Sequence, residues 1–178
     1  FALIRNPLIT SYGLDTSALF GFINQVLKLI RKENPDFLVC AFDSKGKNFR
    51  HEMYDLYKAN RPEMPIELQN QLPHLWESLD ALRIPIIKKK GFEADDIIGT
   101  LVTEAEKHGL LSYIVSGDKD FMQLINEKVF LYSPGSRKSL DPIIYDSKKV
   151  EERWGVPPQK IIDLLGLMGD SSDNVPGV

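Results

Sequence analysis

Apolar residues recur at helical spacing from Ala18 to Ile30, through Leu19, Phe22, Ile23, Val26 and Leu27. This predicts an amphipathic helix from a Thr16 cap to about Lys32, ended by Asn34-Pro35. The stretch 5–15 before it, with Pro7 and Gly13, reads as a loop. The continuous run 37–42 (FLVCAF) predicts a strand buried on both faces, and Asp43 closes it. A helix is expected from Ile66 to Leu82, kinked at Pro73. A short strand is expected at 84–87. Ala94–Lys107 carries Ile97, Ile98, Leu101, Val102 and Ala105 on one side and predicts a helix that ends at His108-Gly109. Strands follow at 111–115 and 129–132, with a short helix at about 119–125 between them. A turn at Pro134-Gly135 comes next. Two more helices are expected near 147–154 and 158–168, with Pro158 suited to a first helical turn. Strand and helix in alternation predict an α/β domain with a mostly parallel central sheet flanked by helices.

Composition narrows this picture. With 178 residues, 43% of them hydrophobic and 26% charged, the chain matches one globular domain spanning 1–178 rather than a disordered or fibrous segment. Its one cysteine, Cys40, excludes an internal disulfide framework and a cysteine-rich zinc site, and its place in an apolar run marks it as core. The longest apolar run, 37–42, is far shorter than the roughly 20 residues of a membrane helix. No basic leader with an apolar stretch opens the chain, so the expected compartment is the cytoplasm.

The net charge of −3 conceals segregation. Lys45, Lys47, Arg50, Lys58 and Arg61 make one basic stretch, and Lys88-Lys89-Lys90 another. The acids gather at Asp43, Glu93/Asp95/Asp96, Asp118/Asp120 and Asp170/Asp173. Local potential rather than net charge steers a ligand, so a polyanionic partner stays open.

In a parallel α/β sheet, sites form beyond the carboxyl ends of the strands, and three of these acidic groups fall there. Taken singly, each acid has an ordinary use. Glu93, Asp95, Asp96 and Asp118 can cap helices, and Asp170 and Asp173 can stabilise a turn. Taken together, carboxylates at a few Å repel strongly unless some are protonated or a cation lies among them. Hard oxygen donors without His or Cys suit Mg²⁺ or Mn²⁺, and so many suggest two ions able to act on a phosphodiester. The stretch 44–64 interleaves cations with Phe49, Tyr54 and Tyr57, a mixture that suits phosphates and unpaired bases but also a solvated loop. His74 and His108 read as helix-surface residues, and Trp76 and Trp154 as core. No P-loop, dinucleotide fingerprint or nucleophile elbow is present.

Four stretches carry a resemblance: VCAFDSKGKNFRHEMYDLYKANRPEMP (39–65), GFEADDIIGTL (91–101), IVSGDKDFMQL (114–124) and GLMGDSSDNVPGV (166–178). In order and spacing the chain resembles the 5′-nuclease (flap endonuclease) family with its PIN-like fold, as in the 5′-3′ exonuclease domain of bacterial DNA polymerase I. The resemblance implies metal ligation by Asp43, Glu93, Asp95, Asp96, Asp118, Asp120, Asp170 and Asp173. It implies that Lys58 and Arg61 act near the scissile phosphate, on an arch or clamp segment over 44–64 that also holds the DNA-contacting Arg50 and Tyr57. The implied reaction is Mg²⁺-dependent hydrolysis of DNA at a 5′ end or flap. The implied partners are that DNA and possible attachment to a polymerase domain, with the protein a monomer.

Family members open with a strand bearing an aspartate, in a pattern like V-D-G, which these residues do not contain. They also continue past Gly177-Val178 into a helical hairpin that grips duplex, of which 166–178 would be the start. The chain is therefore expected to be a fragment, weakened in catalysis and affinity. Two other readings stand beside the nuclease: a catalytically inactive DNA-binding module of the same fold, and a PIN-type ribonuclease.

Overall fold

The computed structural model describes residues 7–135 and 141–178, so residues 5 and 6 of the expected N-terminal loop lie outside it. In chain order the elements are α1 (Ser17–Glu33), β1 (Cys40–Ala41), α2 (Phe49–Met53), α3 (Ile66–Gln69), α4 (Leu72–Ala81), β2 (Ile86–Ile87), α5 (Ala94–Lys107), β3 (Ser112–Val115), a 3₁₀ turn Lys119–Leu124, β4 (Val129–Ser133), β5 (Ile143–Tyr145), α6 (Ser147–Trp154), a 3₁₀ turn Pro158–Lys160 and α7 (Ile161–Met168). Contacts group these into two compact units. One holds the described residues through Phe42 together with Pro62–Ile87; the other holds Asp43–Arg61 and Lys88–Val178.

In the first unit, α1 and α4 bury Val26, Leu75 and Leu79 together with Ile84, and Leu38, Cys40 and Phe42 pack against that cluster. The expected cap of α1 is replaced. The Thr16 hydroxyl donates to the Leu8 carbonyl instead, 2.9 Å away. The amides of Ala18 and Leu19 donate to Oε1 of Gln71 at 2.9 and 3.0 Å. Gln71 is buried. A glutamine reaching from another helix satisfies the orphan N–H groups that every helix start leaves over.

The helix expected over 66–82 is two helices. Pro73 falls at the start of α4, where its missing N–H costs nothing, and no mid-helix kink forms. The run 37–42 is also corrected. Only Cys40 and Ala41 pair, in parallel register with Ile86 and Ile87. Leu38, Cys40 and Phe42 face the core, while Phe37 is 79% exposed and Val39 40% exposed. Alternation therefore turns Phe37 and Val39 toward water, Ala41 is half-buried, and the run is not buried on both faces along its length.

In the second unit, β3 runs parallel to β4, and β4 antiparallel to β5. The expected parallel pairing holds among the described residues of each unit, β1 with β2 in the first and β3 with β4 in the second. The missed strand β5 is antiparallel to β4, and the nine positions between them are fewer than the dozen or so that a parallel crossover needs. Ile114, Phe121, Met122, Ile125, Val129, Leu131, Val150 and Ile161 form the core of this unit. Trp154 packs against them and its indole N–H lies 3.1 Å from the Met122 sulfur. No helix among the described residues is long and apolar enough to cross a membrane.

Leu131 lies in the middle strand and is 1% exposed. Leu131→Ala should lower unfolding stability by about 2–5 kcal/mol, read from the denaturant midpoint by circular dichroism.

Candidate active site

The second unit contains a pocket of about 200 Å³ lined by Asp43, Glu93, Asp95, Asp118, Asp120, Asp170 and Asp173, with Lys58, Arg61, Lys119 and Ser172. Seven of the eight predicted carboxylates therefore share one cavity. Seven acids against three cations leave a formal excess of four negative charges.

Backbone amides aim these acids. Asp43, two residues beyond β1, accepts from the first amide of α5, Ala94 N–H, at 2.7 Å. Asp118 follows β3 and accepts from Asp120 N–H at 3.0 Å, capping the 3₁₀ turn. Asp170 accepts from Ser172 N–H at 2.7 Å. Its own backbone pairs with Val175 in both directions at 2.8 Å, closing the loop 170–175. Gly169 lets that loop close: its φ is +70°, and a Cβ there would fall on the backbone of Pro176-Gly177. No local pattern marks Gly169, because the need for it appears only when the two backbones meet.

Crowding shifts the proton equilibria. Asp95 is reached by water through the pocket mouth, yet partial burial followed by repulsion from Asp118, Asp43 and Glu93 pushes its pKa up to about 6. Asp120 is raised by burial and then by Asp118. Asp170 is pushed up by burial, but the Ser172 and Asp173 amides outweigh this and its pKa falls.

The donor set fits a divalent cation. Oδ1 of Asp120 is buried without a hydrogen-bond partner. A buried oxygen left in that state is costly, and an ion would satisfy it. Among the described residues no three acids converge tightly enough to make a finished coordination shell. An ion held here would keep several waters, as Mg²⁺ prefers.

Two of the three cations, Lys58 and Arg61, come from a segment docked on the 170–174 loop. Lys58 N–H donates to the Asp173 carbonyl at 2.9 Å, Asn60 to the Ser171 carbonyl at 2.9 Å, and Arg61 Nε to the Ser172 carbonyl at 3.1 Å. Asn174 returns a bond to the Leu56 carbonyl at 2.9 Å. Lys58 takes φ of +55°, a conformation that costs energy outside glycine and is held here by these bonds. Its ammonium sits 2.6 Å from Glu93 Oε1, and Arg61 pairs with Asp173.

Three of the expected site residues are engaged with protein partners in this structure. Tyr57 is 7% exposed, so its ring cannot stack on a base. Its hydroxyl donates to Asp173 Oδ2 at 2.9 Å and lies 3.2 Å from each Glu93 oxygen. Burial, then the Asp173 bond, keeps it protonated. Arg50 pairs with Asp96 through two bonds of 2.8 and 2.7 Å, which use one N–H of each terminal nitrogen. Asp96 is the one predicted ligand outside the pocket. Its Oδ2 accepts from Glu93 N–H at 2.9 Å, and the Arg50 pair holds its pKa low. The capping role weighed for the 93–96 acids falls to Asp96. Two more residues support this corner: Asn48, which caps α2 and donates to Glu93, and His51, whose ring stands edge-on to Tyr57 at 5.3 Å.

Residues 1–155 match the profile of the 5′-3′ exonuclease, N-terminal resolvase-like domain. The chain is 41% identical over 173 residues to DNA polymerase I of Caldicellulosiruptor bescii, covering 96% of this chain and 20% of that protein. It is 40% identical over 172 residues to the 5′-3′ exonuclease of Aquifex aeolicus, covering 97% of this chain and 58% of that one. It thus spans a fifth to somewhat over half of these relatives. A crystal structure of the T5 D15 protein co-crystallised with metal ions superposes with a TM-score of 0.73 at 25% identity, over 89% of this chain and 62% of that one. The fold is therefore PIN-like, and the chain belongs to the 5′-3′ exonuclease family.

Proposed function

We propose that this chain is the catalytic part of a metal-dependent nuclease that hydrolyses DNA phosphodiesters at a 5′ end or flap. The observation that carries this reading is the pocket itself: seven carboxylates gathered around two cations from one docked segment. A binding module would gain nothing from such repulsion. Asp43, Glu93, Asp95, Asp118, Asp120, Asp170 and Asp173 would hold two Mg²⁺ or Mn²⁺ ions. When bound, the ions supply Lewis-acid neutralisation of the phosphate and activation of the attacking water.

The protein's own residues do the rest. Lys58 and Arg61 neutralise the phosphate at the mouth of the pocket, exchanging their present carboxylate partners for it. Tyr57 holds Glu93 and Asp173 at a fixed separation through its hydroxyl. Asp96 and Arg50 fix the start of α5, and so aim Glu93 and Asp95; they position ligands rather than bind the ions or the DNA. The relatives suggest two settings for the whole protein, one joined to a polymerase and one standing alone.

The decisive assay compares a 5′-flap DNA with a single-stranded RNA, each with Mg²⁺ and with EDTA. Flap cleavage that needs Mg²⁺ is expected. DNA binding without cleavage would favour the inactive module, and preferential RNA cleavage the PIN-type ribonuclease. Asp118→Asn keeps an oxygen for the Asp120 amide but loses charge. It should reduce cleavage by more than about 100-fold, beyond the usual loss from a merely supporting residue, with the melting temperature little changed.

Metal-free stability should report the crowding. A carboxyl raised from 3.8 to about 6 binds its proton more tightly in the folded state, so its contribution to stability falls as pH rises from about 4 through 6. With EDTA, Asp95→Asn should therefore melt higher than the parent at pH 7–8, and the difference should shrink toward pH 4. Added Mg²⁺ should raise the melting temperature of the parent more than that of the variant.

A further inference from the structure

The lysine run 88–90 has no part in the pocket. Lys89 and Lys90 are exposed and form no ion pair among the described residues. They lie in a tight turn. Phe92 N–H donates to the Lys89 carbonyl at 3.2 Å, and Gly91 between them takes φ of +84°. The turn is tied to α2, because Phe49 N–H donates to the Gly91 carbonyl at 3.4 Å. The result is an aromatic pair beside the lysines. The Phe49 and Phe92 rings lie 5.9 Å apart and are 39% and 44% exposed.

This pair edges a groove of about 640 Å³ that reaches Asp95 and Asp120, both of which also line the acidic pocket. Beyond those two acids the groove is balanced in charge. Asp96 is neutralised by Arg50, and Glu104 pairs with Lys107 at 2.8 Å. A charge-balanced groove with an aromatic edge and neighbouring free cations separates two tasks, stacking for bases and neutralisation for phosphates.

We propose that the 88–92 turn and the Phe49–Phe92 pair form a contact surface for single-stranded DNA continuous with the acidic pocket. Unpaired bases stack on Phe92 and Phe49, and Lys89 and Lys90 neutralise the phosphates between them. The inference rests on the nuclease reading and adds to it the place where the unpaired strand lies.

Binding of fluorescent 5′-flap DNA and of blunt duplex is measured by anisotropy over a salt series, with Ca²⁺ replacing Mg²⁺, for the parent, Lys89→Gln/Lys90→Gln and Phe92→Ala. The lysine variant should lower the slope of log affinity against log salt by about 1.4, the value for two contacts on a single strand. Phe92→Ala should weaken flap binding about tenfold with the slope unchanged. Neither should alter blunt-duplex binding. Parent-like flap binding by both variants, or equal losses on flap and duplex, would overturn the proposal. If the parent cleaves flap DNA with Mg²⁺ while both variants bind as it does, this surface fails and the nuclease reading stands. A parent that neither binds nor cleaves DNA overturns both.

Discussion

Like charges held a few Å apart cannot all remain ionised in a partly dry cavity without something to offset them. Much of the second unit meets that constraint. Amides at the start of α5, at the 3₁₀ turn after β3 and in the 170–175 loop each take one oxygen of a pocket acid. Lys58 and Arg61 take two more carboxylates, and the Tyr57 hydroxyl bridges a pair. What these partners do not absorb remains as the raised proton affinity of Asp95 and Asp120 and as one buried oxygen without a bond.

Capping and ligand roles are compatible in one side chain. A carboxylate has two oxygens and several lone pairs, so an Asp can accept from a backbone amide and still face an ion. Asp118 and Asp170 are both fixed in this way. The amide sets the direction of the side chain, and less conformational entropy is then lost when a cation arrives. Asp96 shows the limit of this arrangement, since Arg50 and the Glu93 amide use its oxygens.

The sequence disclosed the acids and the α/β alternation because both depend on local pattern. Residues Glu93, Asp95 and Asp96 stand where an amphipathic helix must begin, and Asp118 where an apolar strand must end. What it concealed depends on distant partners. Gln71 looks like any exposed helix residue until its amide meets α1. Tyr57 has the composition of a stacking aromatic, and only its burial against Glu93 and Asp173 assigns it elsewhere. Arg50 looks free until Asp96, 46 positions later, claims it. The exposure of Phe37 and Val39 is likewise not revealed by a run of apolar letters.

The cap on α1 has a kinetic corollary. Its acceptor, Gln71, lies 53 positions downstream of Ala18. During synthesis on a ribosome the helix emerges well before the residue that completes its first turn. A lone 17-residue helix is only marginally stable in water. The nascent α1 must therefore fray at its leading end until translation has delivered the segment that carries its cap.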